Sequence, residues 1–224
     1  MGKLYLVPTP IGNLRDITLR ALEVLTKVDL ILAEDTRMTK KLLNQYEINT
    51  KTKSYHVYNE HKALSKIINL LISGNNIALV SNSGFPCISD PGFTLVREVI
   101  SKGIDLESLP GASSIIPALT QSGFPTTGFI FEGFLPKKKG RQKKILELSK
   151  EKRTVILFES PYRLIKLLNE IKDICGAEKK ISISREISKI FEETIRGTVN
   201  ECLVHFEKKE PKGEFVICIQ GFRS

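Results

Sequence analysis

Residues 56–61 read His-Val-Tyr-Asn-Glu-His, and Asp35 and Arg37 lie a short way upstream. His56 offers a titratable imidazole, Glu60 a carboxylate, Asn59 an amide and Arg37 a fixed positive charge. Such a set could accept a proton, orient a hydroxyl group and hold an anion. Taken singly, the residues have plainer readings: Asn59 as a helix cap, His56 as a structural or surface residue. A metal is not expected, because His56 and His61 are five apart across a helix start and no cysteine supports them.

A second kind of signal comes from loops. Residues 77–92, IALVSNSGFPCISDPG, pass from an apolar run into a Ser/Asn/Gly/Pro loop and then into a helical pattern from Phe93. Open α/β sheets bind ligands where buried parallel strands end, and small side chains let ligands approach the backbone. Residues 8–13 and 110–114 repeat the arrangement. Alone, each is an ordinary turn between strand and helix. Three together favour a ligand site, since parallel strands place all three at one edge. There is no GxGxxG and no GxxxxGK[ST], which disfavours dinucleotide and P-loop sites.

The elements that must position these loops alternate. Strands are expected at 4–7, 28–33, 77–80 and 104–109, with helices between them, one capped by Asp16 or Thr18 and one by Asn59. This implies a mostly parallel sheet. Residues 123–128, GFPTTG, read as a boundary. Beyond them, strands near 128–131, 153–159, 181–185 and 214–219 and helices near 141–150, 161–174 and 198–207 imply a mixed sheet. The expected architecture is α/β, with one domain at 1–122 and a second at 123–224. Ser160 before Pro161 is good helix-start chemistry, and residues 212–214 read as a turn.

The 224 residues are 41% hydrophobic and 26% charged, a globular composition. No apolar run is long enough to span a bilayer, and no signal peptide is evident, so a cytoplasmic protein is expected. Four scattered cysteines read as reduced thiols. The net charge is +9, and residues 137–153 hold nine basic residues against two acidic ones, a local +7. A focused positive field suits a polyanion, so nucleic acid stands ahead of a merely solvated helix face. Lys137, Lys138, Lys139, Arg141, Lys143 and Lys144 are the candidate RNA contacts. Phe134, beside them, could stack on an unpaired base or simply pack in the core.

LYLVPTPIGNLRDITLRALEVL at 4–25, AEDTR at 33–37, SYHVYNEH at 54–61, ISDPG at 88–92, LPGAS at 109–113, FEGFLPKKKGR at 131–141 and KGEFVICIQG at 212–221 occur in this order. Together they resemble the bacterial small-subunit ribosomal RNA cytidine 2′-O-methyltransferases of the tetrapyrrole methylase superfamily. The resemblance implies two α/β domains with S-adenosylmethionine folded in the cleft between them, a homodimer, and methylation of a cytidine ribose in small-subunit rRNA within the 30S particle. It implies cofactor contacts from Pro8, Ile11 and Gly12, from Asn82, Ser83, Gly84 and Phe85, and from Ala112, Ser113 and Ser114. Phe158, Ser184 and Gly213 would contribute from the second domain. Glu60, His56, Asn59, Asp35 and Arg37 would form the reacting set, with Glu60 and His56 the leading bases. The chain departs from the family pattern where DAGTP is usual: Asn82-Ser83-Gly84-Phe85-Pro86 lacks that carboxylate and that hydroxyl. It also ends at Ser224, without the extension many members carry. A tetrapyrrole-type methylase, or a binding protein that has lost catalysis, are the alternatives.

Overall fold

The computed structural model describes residues 1–222. They form two compact units that divide between Ser113 and Ser114.

The first unit runs β1 (Lys3–Leu6), a 3-10 turn (Leu14–Asp16), α1 (Leu19–Lys27), β2 (Leu30–Ala33), α2 (Thr36–Gln45), β3 (Thr52–Ser54), α3 (Glu60–Ile72), β4 (Ile77–Val80), α4 (Phe93–Ser101) and β5 (Asp105–Ser108). Its sheet has the order β3-β2-β4-β1-β5. Every pairing is parallel. All four residues of β4 are buried, as expected of a central strand covered on both faces. Alternate residues serve opposite faces. Ile77 and Leu79 join Leu4, Leu32, Ile67, Leu71 and Leu95 in one cluster. Ala78 and Val80 join Ile31, Ala21, Leu25 and Leu43 in the other. Thr18 caps α1 by accepting from the Ala21 amide at 3.0 Å.

The second unit runs α5 (Ile115–Ser122), β6 (Phe129–Phe134), α6 (Arg141–Ser149), β7 (Thr154–Glu159), α7 (Pro161–Cys175), β8 (Lys180–Arg185), β9 (Glu193–Thr198), α8 (Val199–Lys208) and β10 (Phe215–Ile219). Its sheet has the order β6-β7-β10-β8-β9. Only β6 and β7 pair in parallel; the remaining pairs are antiparallel, so the sheet is mixed. Leu164, Leu167, Leu168, Val199, Leu203 and Phe206 from α7 and α8 cover one face.

Three details depart from the sequence reading. β3 and β9 were not expected, because both are edge strands. β3 is three half-buried residues, and β9 (ETIRGT) is polar along most of its length. The units divide at 113/114 rather than 122/123, because α5 packs on β8 and β10. Asn59 stands at the N-cap of α3, yet its side chain makes no capping bond.

Among the described residues, no helix is long and apolar enough to cross a membrane.

Gly92, at the start of α4, has φ +133°, and a Cβ there would lie 2.5 Å from Cys87 Sγ and 2.7 Å from Leu79 Cδ2. Gly103 has φ +63° and open space around it. Gly92→Ala should cost about 2–4 kcal/mol in denaturant unfolding, from backbone strain plus overpacking, and Gly103→Ala only about 1 kcal/mol from strain alone. Equal losses would show that the 87–92 loop is not packed as described.

Candidate functional site

The parallel first sheet delivers the ends of β1, β4 and β5 to one edge, and the loops there touch. Thr9 and Gly84 exchange two backbone hydrogen bonds, each 2.9 Å. The Thr9 hydroxyl donates to the Ser81 carbonyl at 3.1 Å, and the Ser81 hydroxyl donates to the Gly84 carbonyl at 2.9 Å. Gly84 has φ +78°; a Cβ there would meet Ile11 at 3.4 Å and the Ala112 carbonyl at 3.7 Å. A Cβ on Gly111 would lie 2.7 Å from Pro8. Pro8, Ile11, Gly84 and Ala112 are therefore brought together, and Gly12, Asn82 and Ser83 are exposed on the same loops. Phe85 and Ser113 are half-buried, and Ser114 stands at the N-cap of α5. A side chain at either glycine would fill or break this cradle. It fits a flat polar ligand gripped by backbone groups.

At the same edge, Tyr55 follows β3 and its amide donates to Ala33 at the end of β2. Asn59 holds the next turn: its Oδ1 accepts from the His56 amide at 2.9 Å, and its Nδ2 donates to the Ser54 carbonyl at 3.1 Å. Asn59 thus positions the segment, and its polar atoms are spent on backbone. His56 Nδ1 is buried and has no hydrogen-bond partner among the described residues. The Asp35 carboxylate is gripped by Arg37 Nε at 3.1 Å and Nη2 at 2.7 Å, and it accepts the Arg37 amide at 2.9 Å. These bonds from Arg37 hold the Asp35 carboxyl down to about 2, which makes it a poor base. The guanidinium remains largely exposed.

The sequence reading missed a carboxyl group here. Asn82 bridges the end of β2: its Oδ1 accepts from the Asp35 amide at 3.2 Å, and its Nδ2 donates to Glu34 Oε2 at 2.8 Å. The Asp90 carboxyl is pushed up to about 6 by burial and by the Glu34 charge. It titrates near neutrality, where Asp35 does not. Burial also raises the Cys87 thiol, to about 11, and the Tyr55 phenol, whose hydroxyl is buried without a partner. The signal available in the sequence was the ISDPG motif, read there as part of a family pattern and of the 77–92 loop.

In the second unit, Phe158 pairs with Val216 and Val216 with Ser184, so the three share one row across the sheet. Phe158 is half-buried against Phe131 and Phe134. Ser184 is 1% exposed and its hydroxyl accepts from Thr194 at 3.1 Å, which ties it to the sheet rather than to a ligand. Gly213 has φ +94° and lies against Glu186.

Arg141, expected on RNA, is buried instead. It bonds Glu170 at 2.7 Å, Glu159 at 3.4 Å and the Pro136 carbonyl at 3.3 Å. Lys144 pairs with Glu132 at 2.5 Å. Lys137, Lys138, Lys139 and Lys143 are exposed. The cationic surface is therefore smaller than the sequence suggests.

Because the Asp90 carboxyl is raised, its proton stabilises the folded state below about pH 4, and that contribution is lost as pH rises through 6. Asp90→Asn mimics the neutral form. It should melt about 2–5 °C above the native protein at pH 8, with the gap closing by pH 4 in a pH series of thermal scans. A gap that stays constant with pH would contradict the raised carboxyl.

Residues 3–203 match the family described as Tetrapyrrole (Corrin/Porphyrin) Methylases. A Thermotoga maritima protein named Ribosomal RNA small subunit methyltransferase I is 48% identical over 221 residues, covering 99% of both chains. A Bacillus subtilis protein of the same name is 46% identical over 99% of this chain and 76% of its own. Among solved structures, a cobalt precorrin-4 methyltransferase of cobalamin biosynthesis superposes over 97% of this chain and 94% of its own, with TM-score 0.72 at 18% identity. A Thermus thermophilus uroporphyrin-III C-methyltransferase, complexed with S-adenosylhomocysteine, does so over 97% of both chains, with TM-score 0.68 at 16% identity. At such identities the structures speak for the fold; the family match and the sequence relatives together establish that this chain belongs to the tetrapyrrole methylases.

Proposed function

We propose that this protein is an S-adenosylmethionine-dependent methyltransferase that 2′-O-methylates a cytidine ribose in small-subunit ribosomal RNA, acting as a cytoplasmic homodimer on the 30S particle. The observation that carries the reading is the 48% identity, over 99% of both chains, to a protein named Ribosomal RNA small subunit methyltransferase I. The cradle at Pro8, Ile11, Gly84 and Ala112 supports it, since the donors on offer there are backbone groups on small residues.

When bound, S-adenosylmethionine supplies an electrophilic methyl group. The loops at 8–12, 82–85 and 112–113 would hold it by backbone contacts. Catalysis then rests mostly on positioning the ribose hydroxyl. Glu60 and His56 are the groups that take its proton, and the turn that Asn59 clamps fixes the His56 backbone. Arg37 keeps an exposed guanidinium for a phosphate, anchored by Asp35. Lys137, Lys138, Lys139 and Lys143 hold further phosphates.

Purified protein incubated with labelled S-adenosylmethionine and 30S subunits lacking the modification should yield a 2′-O-methylcytidine, mapped by nuclease digestion and mass spectrometry. Glu60→Ala and His56→Ala should each lower kcat by about 10²-fold or more, the range of lost acid–base catalysis. Cofactor affinity by calorimetry should stay close to native. Methylation of a tetrapyrrole without RNA would replace the substrate; unchanged turnover in both variants would overturn the base assignment.

A further inference from the structure

β6 ends at Phe134 and α7 begins at Pro161, and these neighbouring ends carry an unusual surface. Tyr162 is 96% exposed and Phe134 is 53% exposed. Phe134 packs one side against Phe158, with ring centres 5.6 Å apart, and the Arg163 guanidinium lies 5.9 Å from its ring centre. The next residues along the chain are Leu135, Pro136 and then Lys137, Lys138 and Lys139, all three lysines exposed. No ion pair involving these three lysines occurs among the described residues.

The loop under the lysines is held from inside by one carboxylate. Glu159 has a fully buried side chain that pairs with Arg163 at 2.7 Å and Arg141 at 3.4 Å and accepts the Ser160 amide at 2.8 Å. Arg141 in turn donates to the Pro136 carbonyl at 3.3 Å, and Arg163 to the Leu135 carbonyl at 3.4 Å. Both arginines therefore fix the backbone that leads from the aromatic ring to the lysines. Arg141 is also held by Glu170 at 2.7 Å, so the buried charges are paired more than once and the clamp is stiff. A stiff strand end presenting a half-exposed ring, a stacked guanidinium and a row of unpaired cations matches what a splayed nucleobase and its flanking phosphates require.

We propose that Phe134 and Tyr162, set by the Glu159 clamp beside Lys137, Lys138 and Lys139, form a stacking platform for an unpaired nucleobase of the RNA substrate. The aromatic rings take the base faces, and the lysines take the adjoining phosphates. Charge complementarity selects RNA over an apolar protein partner. The inference rests on the reading of the protein as an RNA methyltransferase and names the part of the RNA it grips.

The test compares the native protein with Phe134→Leu/Tyr162→Ser, with Phe134→Trp, and with the three lysines changed to alanine. The probe is 30S subunits lacking the modification. The aromatic double variant should raise KM for 30S about tenfold or more, as lost stacking does. Its cofactor affinity by calorimetry and its melting temperature should stay native, and Phe134→Trp, which keeps an aromatic face, should keep the native KM. The lysine variant should raise KM too, with an effect that fades at high salt, whereas the aromatic effect persists. An unchanged KM in the aromatic variant would overturn the platform, as would a fall to monomer in sedimentation with RNA affinity intact, which would assign the surface to a second copy. Direct co-sedimentation with 30S separates the two readings. If the native protein binds but transfers no methyl group, the activity fails, and the platform still stands or falls on whether the aromatic variant binds more weakly.

Discussion

The loops after β1 and β4 are stitched by the two backbone hydrogen bonds between Thr9 and Gly84, and the Thr9 and Ser81 hydroxyls add two more. The rest of the edge depends on this joint. Both hydroxyls lie on buried residues, where an unmade hydrogen bond is expensive, so the stitch is strongly favoured once the parallel sheet has formed. It brings Gly84 close to Ile11 and to the Ala112 carbonyl, and so turns three separate turns into one cradle. Tyr55, His56 and the Asn59-clamped turn follow from the same sheet, two strands further out.

The second unit solves its own problem differently. Where the first unit fixes a loop with neutral hydrogen bonds, the second buries charge. Glu159 contacts two arginines and a backbone amide. Such a cluster contributes little net stability against an apolar replacement, but it fixes geometry, because every donor has one place to go. Here the geometry it fixes is the backbone of residues 135 and 136, on which the lysines depend.

Much of this architecture was legible in the residues. Apolar runs at 77–80 and 28–33 could only be buried strands, and alternation with helices implied a parallel sheet. The turn residues marked all three loops of the cradle. What escaped had no local pattern. β3 and β9 are edge strands whose pairing depends on a partner already in place. Arg141 looked like its lysine neighbours, and only the fold shows it turned inward toward Glu159 and Glu170. Asn59 looked like a helix cap and is instead a turn clamp. Asp90 sat in a quoted motif, but its titration depends on burial and on Glu34, which is far away in sequence.

Asn82 illustrates how a local departure can be reconciled by the fold. As a sequence change it removes a carboxylate from the loop, which placed any role of that charge in doubt. In the structure the amide does two jobs at once, accepting from the Asp35 backbone and donating to Glu34. An aspartate could keep the first bond but would set two carboxylates against each other in place of the second, beside an Asp90 already raised by the Glu34 charge. Asparagine thus ties Asp35 and Glu34 to this loop without adding a further charge to the corner. The loop at position 82 is instead joined to a carboxylate, that of Glu34, by the same side chain.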